Sequence, residues 1–305
     1  MKVTVFGAGG MGLYFAAVLA RAGHQVTVIG RPATVAAAQH PLRLTRGGED
    51  VDIRGIRAVT TVDPDPADLV IVAVKAWQVA EAATALLPAV GPETVVLPLQ
   101  NGVEAASDLS AVLGEEHILG CTCVVIAQRV APWEVRCLGA DATVEIGPLT
   151  GEFNPAFTTV ATALEAAGIG VTRSADIQAT LWRKLMLIAS YGGVGALSRQ
   201  PVGITRAEPE TAALVRAAMH EVLEVAQARG IALTTDDVDR MMKVYESFSP
   251  DTTSSMQRDL AAARPSELAY QNGAVLRFGR AASIPTPIHQ TIYASQLPGE
   301  TLARS

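Results

Sequence analysis

The sequence predicts an α/β protein: an N-terminal doubly wound parallel sheet over residues 1–174, followed by an all-helical domain over residues 175–305. Two observations carry this. Short, β-branched apolar runs alternate with helical segments through the first half, the pattern of a parallel sheet covered by helices. Beyond Asp176 the strand signals vanish and long helical periodicities take over. A chain of 305 residues also suits two moderate domains, each able to bury an interior of its own.

Residues 2–6, 25–29, 69–74 and 94–99 read as strands. A helix over 10–22 ends at Gly23, a fitting C-terminal stop, and the next strand follows at once, making a tight βαβ unit. From Cys121 to Gly147 the pattern is irregular but β-rich; 154–167 then reads as a helix and 168–173 as a last strand, so the sheet domain closes near Ser174. Helices are expected over 176–198, 209–229, 235–246, 254–263 and 266–280. The stretch 247–253, with Pro250 and several hydroxyl residues, reads as a loop before a helix capped by Ser254 or a neighbour.

Composition narrows the function. The apolar fraction is 49%, but the surplus is Ala and Val spread evenly, and no run approaches the roughly 18 apolar residues of a membrane span. Met1-Lys2 ahead of an apolar stretch from Met11 to Ala20 has the outline of a secretory signal, yet glycines interrupt it and Arg21 and His24 stand where a cleavage site needs small residues. With a net charge of −6 and no Lys/Arg stripe, nucleic acid and anionic membrane are poor partners, and a small molecule is expected. The odd number of cysteines, Cys121, Cys123 and Cys137, indicates no disulfide framework and a cytoplasmic home. Neither they nor the scattered histidines have metal-ligand spacing, so no metal site is expected.

The most informative segment is Gly7-Ala8-Gly9-Gly10-Met11-Gly12, which follows a strand and opens a helix. In that context Gly7 makes the turn, Gly9 lets the backbone approach a pyrophosphate and Gly12 permits close helix–strand packing, the arrangement of a Rossmann-type dinucleotide site. A carboxylate at the end of the second strand would bond a ribose 2′-hydroxyl; here that end reads Ile29-Gly30-Arg31. Arg31 suits a 2′-phosphate, so NADPH is the expected cofactor, a solvated surface arginine being the alternative. Lys75 and Asn101 stand at the carboxyl ends of later strands, where open α/β sheets hold ligands, although an Asn before Gly also serves a turn for backbone reasons alone.

Several blocks, in order, resemble the ketopantoate reductases (2-dehydropantoate 2-reductases) along nearly the whole chain. They are the glycine turn, Val74-Lys75-Ala76-Trp77-Gln78, Gln100-Asn101-Gly102-Val103, Leu181-Trp182-Arg183-Lys184-Leu185, and Ser254-Ser255-Met256-Gln257-Arg258-Asp259 leading to Glu267 and Asn272-Gly273. The resemblance implies a Rossmann domain and a helical domain that reduce a 2-oxo acid with NADPH in the cleft between them. It makes Lys184 the catalytic lysine, which donates a proton as hydride reaches the carbonyl carbon, Glu267 the substrate-orienting carboxylate and Ser255 a substrate-contacting hydroxyl. Partial desolvation makes an ammonium a better acid, which suits that lysine role.

The family pattern also places asparagines four and eight residues beyond the lysine, both serving substrate; this chain has Ile188 and Gly192. Positions i and i+4 share a helix face, so that face loses two amides, while Tyr191 at i+7 returns one hydroxyl. The expected substrate is therefore a 2-oxo acid less polar than ketopantoate. Ketopantoate itself, the reverse oxidation of a 2-hydroxy acid as in mandelate-oxidising relatives, and an NADPH-binding sensor without turnover are the alternatives. The apolar content of the helical domain leaves room for a homodimer.

Overall fold

The first elements of the chain are β1 (Lys2–Phe6), α1 (Gly10–Arg21), β2 (Gln25–Ile29), α2 (Pro32–Ala37), β3 (Leu42–Arg46), β4 (Glu49–Ile53), β5 (Arg57–Val59), β6 (Leu69–Val72), α3 (Val79–Leu86), β7 (Val95–Pro98) and α4 (Ala105–Leu113). A long hairpin of β8 (Leu119–Ala131) and β9 (Glu134–Pro148), then α5 (Pro155–Ala166) and β10 (Gly170–Arg173), complete this half. Seven helices follow: α6 (Ile177–Ser198), α7 (Val202–Ala207), α8 (Pro209–Ala228), α9 (Thr235–Ser247), α10 (Ser255–Ala261), α11 (Asn272–Ala282) and α12 (Pro287–Arg304). The computed structural model describes all residues, 1–305. By their internal contacts they divide into one unit of Met1–Gln100 with Glu104–Ile177 and another of Asn101–Val103 with Gln178–Ser305.

In the first unit a five-stranded sheet runs in the order β5-β2-β1-β6-β7, every pairing parallel. Both faces are covered, which is why β6 (Leu-Val-Ile-Val) and β7 (Val-Val-Leu-Pro) are continuous apolar runs, buried at every position. α3 and α4 pack on one face through Val79, Ala82, Leu86 and Leu109. α1 packs on the other through Leu13, Phe15 and Leu19, and Tyr14 accepts the Ala142 N–H at 3.1 Å, tying α1 to β9.

A second, mixed sheet holds β10-β9-β3-β4, with β8 antiparallel to β9. The segment expected to be irregular and β-rich is one long hairpin. Its pattern is uneven because β8 is buried on both faces over Leu119–Cys123 and exposed beyond at Val124, Ile126 and three successive residues from Gln128 to Val130, with register shifts at Val124/Ile126 and Arg129/Ala131. The strand expected over 69–74 ends at Val72, because the next residues lie against the glycine turn: a Cβ on Gly7 would stand 2.8 Å from the Ala73 carbonyl carbon.

The second unit is helical throughout, around a core that includes Trp182, Leu185, Met186, Val222, Tyr245, Val275 and Ile292. The expected helix over 266–280 is broken: Ser266 and Glu267 lie outside it, Leu268–Tyr270 forms one 3-10 turn, and α11 starts only after Gln271, at φ −107° and ψ −91°. The cause is tertiary, a set of hydrogen bonds from α12 to Ser266. α7 and α12 carry no expectation from the sequence, α12 because Pro298 and Gly299 interrupt its pattern. No helix is long and apolar enough to cross a membrane.

Candidate active site

The glycine turn is shaped by unequal constraints. Gly7 has φ +113°, a conformation that favours glycine, and its N–H donates to the Ile29 carbonyl. A Cβ on Gly12 would fall 1.8 Å from the Gly7 carbonyl oxygen, so α1 can approach β1 only with glycine there. A Cβ on Gly10 would fall 2.2 Å from the Ala127 carbonyl oxygen of β8, a constraint the motif alone does not reveal. Gly9 differs: the nearest protein atom to a Cβ there is 3.9 Å away. Protein packing does not demand glycine at Gly9, whereas a ligand backed against the turn would. Gly9 is also the N-cap of α1, with no side-chain cap and no acidic residue in the first turn, so the N–H groups of Gly10, Met11 and Gly12 carry their full partial positive charge. Uncapped donors, room at Gly9 and a helix start fit the pyrophosphate of a dinucleotide.

Ala8 is buried and its carbonyl accepts from Arg129 at 3.4 Å. Arg31 is exposed directly after β2, heading α2, with no carboxylate at that strand end. Lys75 is exposed beyond β6, with its ammonium 5.9 Å from the Trp77 ring centroid. Gln100, not assigned a role from sequence, stitches the strand ends here. Its amide N–H groups donate to the carbonyls of Val72 (3.0 Å) and Val74 (2.8 Å), fixing the exit of β6 against the end of β7.

In the helical unit, Lys184 lies on α6, half-buried, between strongly anchored neighbours. Trp182 packs against Phe278 with centroids 5.5 Å apart, and the Arg229 guanidinium lies 4.1 Å from the Phe278 centroid. Arg183 donates to Asp237 at 2.8 Å. Burial opposes the Asp237 charge, yet the Thr234 N–H and the Arg183 and Arg240 guanidiniums hold its carboxyl below the ordinary range. With fully buried Leu185 on the other side, the helix is fixed both before and after Lys184.

Asn101 and Glu267, far apart in sequence, meet: Asn101 Nδ2 donates to Glu267 Oε2 at 3.5 Å, and Glu267 is buried. Gly102, at φ +105°, turns the chain beside Tyr270, whose carbonyl oxygen a Cβ would approach to 2.8 Å. Ile188 is half-buried and packs on the helical core. Gly192 does not face open space: a Cβ there would lie 2.7 Å from Ser254 Oγ and 2.9 Å from Ser254 Cβ. Ser254 is the cap of α10, accepting the Gln257 N–H at 3.0 Å, while Ser255, the first residue of the helix, is exposed. Tyr191 stacks edge-on against Phe248 at 5.3 Å and tilts against Tyr245 at 6.3 Å. Burial raises its hydroxyl pKa above the ordinary value, so it is a neutral phenol.

Asn272, quoted from the sequence without a role, carries structure. Its side-chain N–H groups donate to the Ala189 carbonyl on α6 and to His289 Nδ1 on α12, each at 3.0 Å. Asparagine before glycine signals a turn locally, and nothing in the spacing reveals these distant partners.

The family model described as ketopantoate reductase PanE/ApbA matches residues 3–151, and that of its C-terminal domain matches residues 176–296. The 2-dehydropantoate 2-reductase of Vibrio cholerae is 30% identical over 295 residues, covering 96% of each chain. A crystal structure of a PanE/ApbA family ketopantoate reductase from Ralstonia eutropha superposes with a TM-score of 0.87 at 32% identity, covering 100% of both chains. D-mandelate dehydrogenase, in a ternary structure with NADH and anilino(oxo)acetate, superposes with a TM-score of 0.91 at 25% identity, covering 100% of this chain and 99% of its own.

Proposed function

We propose, for a chain that belongs to the ketopantoate reductase family of oxidoreductases, that it reduces the keto group of a small 2-oxo acid with NADPH, and that this acid is less polar than ketopantoate. The observation that carries the reading is the meeting of Asn101 with the buried Glu267 carboxylate in the unit that also presents Lys184. A buried carboxylate is costly to keep unless it is partnered, and one that meets an amide in the unit carrying Lys184 suits the recognition of a small polar acceptor.

The first unit, on this reading, binds the dinucleotide. The open N-terminus of α1 and the room at Gly9 receive the pyrophosphate, and Arg31 and Lys75 supply cationic donors for phosphate, Arg31 for the one on the adenosine ribose. NADPH, when bound, supplies the hydride. The helical unit handles the acceptor. Lys184 transfers a proton from its Nζ to the carbonyl oxygen as that oxygen gains charge, which converts the ketone to the alcohol and leaves a neutral amine to be reprotonated from water. Glu267 orients the acceptor with Asn101 beside it, and Ser255, exposed at the head of α10, offers a hydroxyl.

The acceptor's polarity is read from α6. Ile188 presents an aliphatic group, Gly192 presents none, and the Tyr191 ring packs against Tyr245 and Phe248. Each hydrogen-bond partner missing for a substrate hydroxyl removes about 1.4 kcal/mol, or about tenfold in affinity, where the bond was a good one. The anilino(oxo)acetate bound to D-mandelate dehydrogenase, an oxo acid carrying a bulky aromatic group, supports this direction. The test is NADPH oxidation with ketopantoate against branched 2-oxo acids lacking its terminal hydroxyl. The expected result is higher kcat/KM for the latter; ketopantoate as the clear best substrate overturns the acceptor reading, and NADPH binding without turnover of any carbonyl overturns the catalytic one.

A further inference from the structure

We propose that Glu300, on the last helix, is a positioning residue for Glu267, acting through Ser266. The inference rests on the role given to Glu267 above. Glu267 sits outside any helix, at φ −94° and ψ 25°, in the stretch 266–280 that the sequence reads as one helix. Something distant holds it, and the bonds identify what. The Glu300 carboxylate is only 4% exposed. Its two oxygens accept the Ser266 N–H at 3.1 and 3.0 Å, and Oε2 accepts the Ser266 hydroxyl at 2.6 Å. Arg304, one turn later on α12, donates to Glu300 Oε1 at 2.6 Å and to the Ser266 carbonyl at 2.7 Å.

Every polar group of Ser266 is thereby engaged, and its hydroxyl oxygen also accepts the Leu268 N–H at 3.2 Å. The residues on both sides of Glu267 are therefore fixed in main-chain position. On its C-terminal side the Glu267 carbonyl accepts the N–H groups of Tyr270 and Gln271, both at 3.0 Å. With the backbone pinned before and after, the direction of the Glu267 side chain is set, and its Oε2 comes to Asn101. A buried carboxylate meeting an arginine, a hydroxyl and a main-chain N–H has its charge well satisfied. Packing α12 needs no such group; holding a neighbouring carboxylate to within a fraction of an ångström does.

The experiment is a double-mutant cycle between Glu267→Ala and Glu300→Gln, read as kcat and KM for the preferred 2-oxo acid, NADPH affinity by fluorescence, and amide exchange by mass spectrometry. Glu300→Gln is expected to lower kcat/KM by about tenfold with NADPH affinity unchanged, and to speed exchange at Ser266 and Leu268 while α11 stays protected. In the Glu267→Ala background, Glu300→Gln is expected to cost nothing further. Ser266→Ala, which keeps the N–H and removes the hydroxyl relay, is a milder variant should Glu300→Gln fold poorly, and is expected to shift the same readouts less. Additive losses, or unchanged exchange at Ser266 and Leu268, overturn this inference alone. A Glu267→Ala enzyme as fast as the parent overturns the role of Glu267 and this inference with it.

Discussion

Acidification should loosen the helical unit through one buried imidazole. His289 is fully enclosed; its Nε2–H donates to the Ala218 carbonyl at 3.0 Å and its Nδ1 accepts from Asn272, an assignment fixed by the partners. A proton added at Nδ1 would face the Asn272 N–H, and turning that amide would set its oxygen against the Ala189 carbonyl. Burial accordingly lowers the imidazole pKa from 6.5 to about 4. Because the folded value is depressed, the unfolded chain binds the proton first as pH falls. Stability present above the ordinary value is lost progressively toward pH 4. At about 1.4 kcal/mol per pH unit, that window removes about 2 kcal/mol by about pH 5 and about 3 kcal/mol by about pH 4.

Glu221 works the other way: burial raises its carboxyl pKa although it accepts the His289 and Ile288 N–H groups, so its protonation favours the folded chain as pH falls. The His289 contribution is therefore read as a difference. Urea unfolding of the parent and of His289→Gln should show the variant weaker at neutral pH by about 1–3 kcal/mol, and this difference should fall by about 3 kcal/mol on going to about pH 4, so that the two stabilities meet or their order reverses. A gap that stays constant refutes the reasoning. Proton NMR gives a second readout in the parent: the His289 ring should remain neutral at pH values where an exposed histidine is charged.

The glycine turn separates folding from binding. Gly9→Ala should fold with a loss within about 0.5 kcal/mol yet lose NADPH affinity at least about tenfold, whereas Gly12→Ala should cost about 3 kcal/mol or more in thermal denaturation; equal behaviour of the two refutes the distinction. Arg31→Ala should raise KM for NADPH by about tenfold or more and leave KM for NADH unchanged, so a parallel rise in both removes the 2′-phosphate role. Lys184→Ala should lower kcat by about 100-fold to 10,000-fold with NADPH affinity intact; a variant that retains full kcat is not missing its proton donor.

Legibility in the sequence followed the range of the forces. The parallel sheet was readable because β6 and β7 are buried on both faces and announce it by composition alone. The β3–β4 hairpin was missed although Gly47 and Gly48, at φ +60° and +85°, spell a two-residue turn. The β8–β9 hairpin was blurred because its burial pattern changes midway. The candidate site residues that the sequence singles out form motifs within one turn or one strand end. The roles of Gln100, Asn272 and Glu300 were not legible, because each acts on main chain dozens of residues away, and no spacing encodes such a partner. The break at Ser266 has the same origin: local propensity favours helix, and a carboxylate from the far end of the chain overrules it.

The close approach of Gly192 to Ser254 has a bearing on how this site changes over generations. An asparagine placed at Gly192 meets the Ser254 side chain and disturbs the cap of α10, so Gly192 is open to change only with Ser254 or after it. Half-buried Ile188 packs on the helical core, so an amide there gives up apolar contact and leaves the cap of α10 in place. A lineage drifting toward a more polar substrate reaches its first amide there, by a single substitution, and the second only after Ser254 has given way.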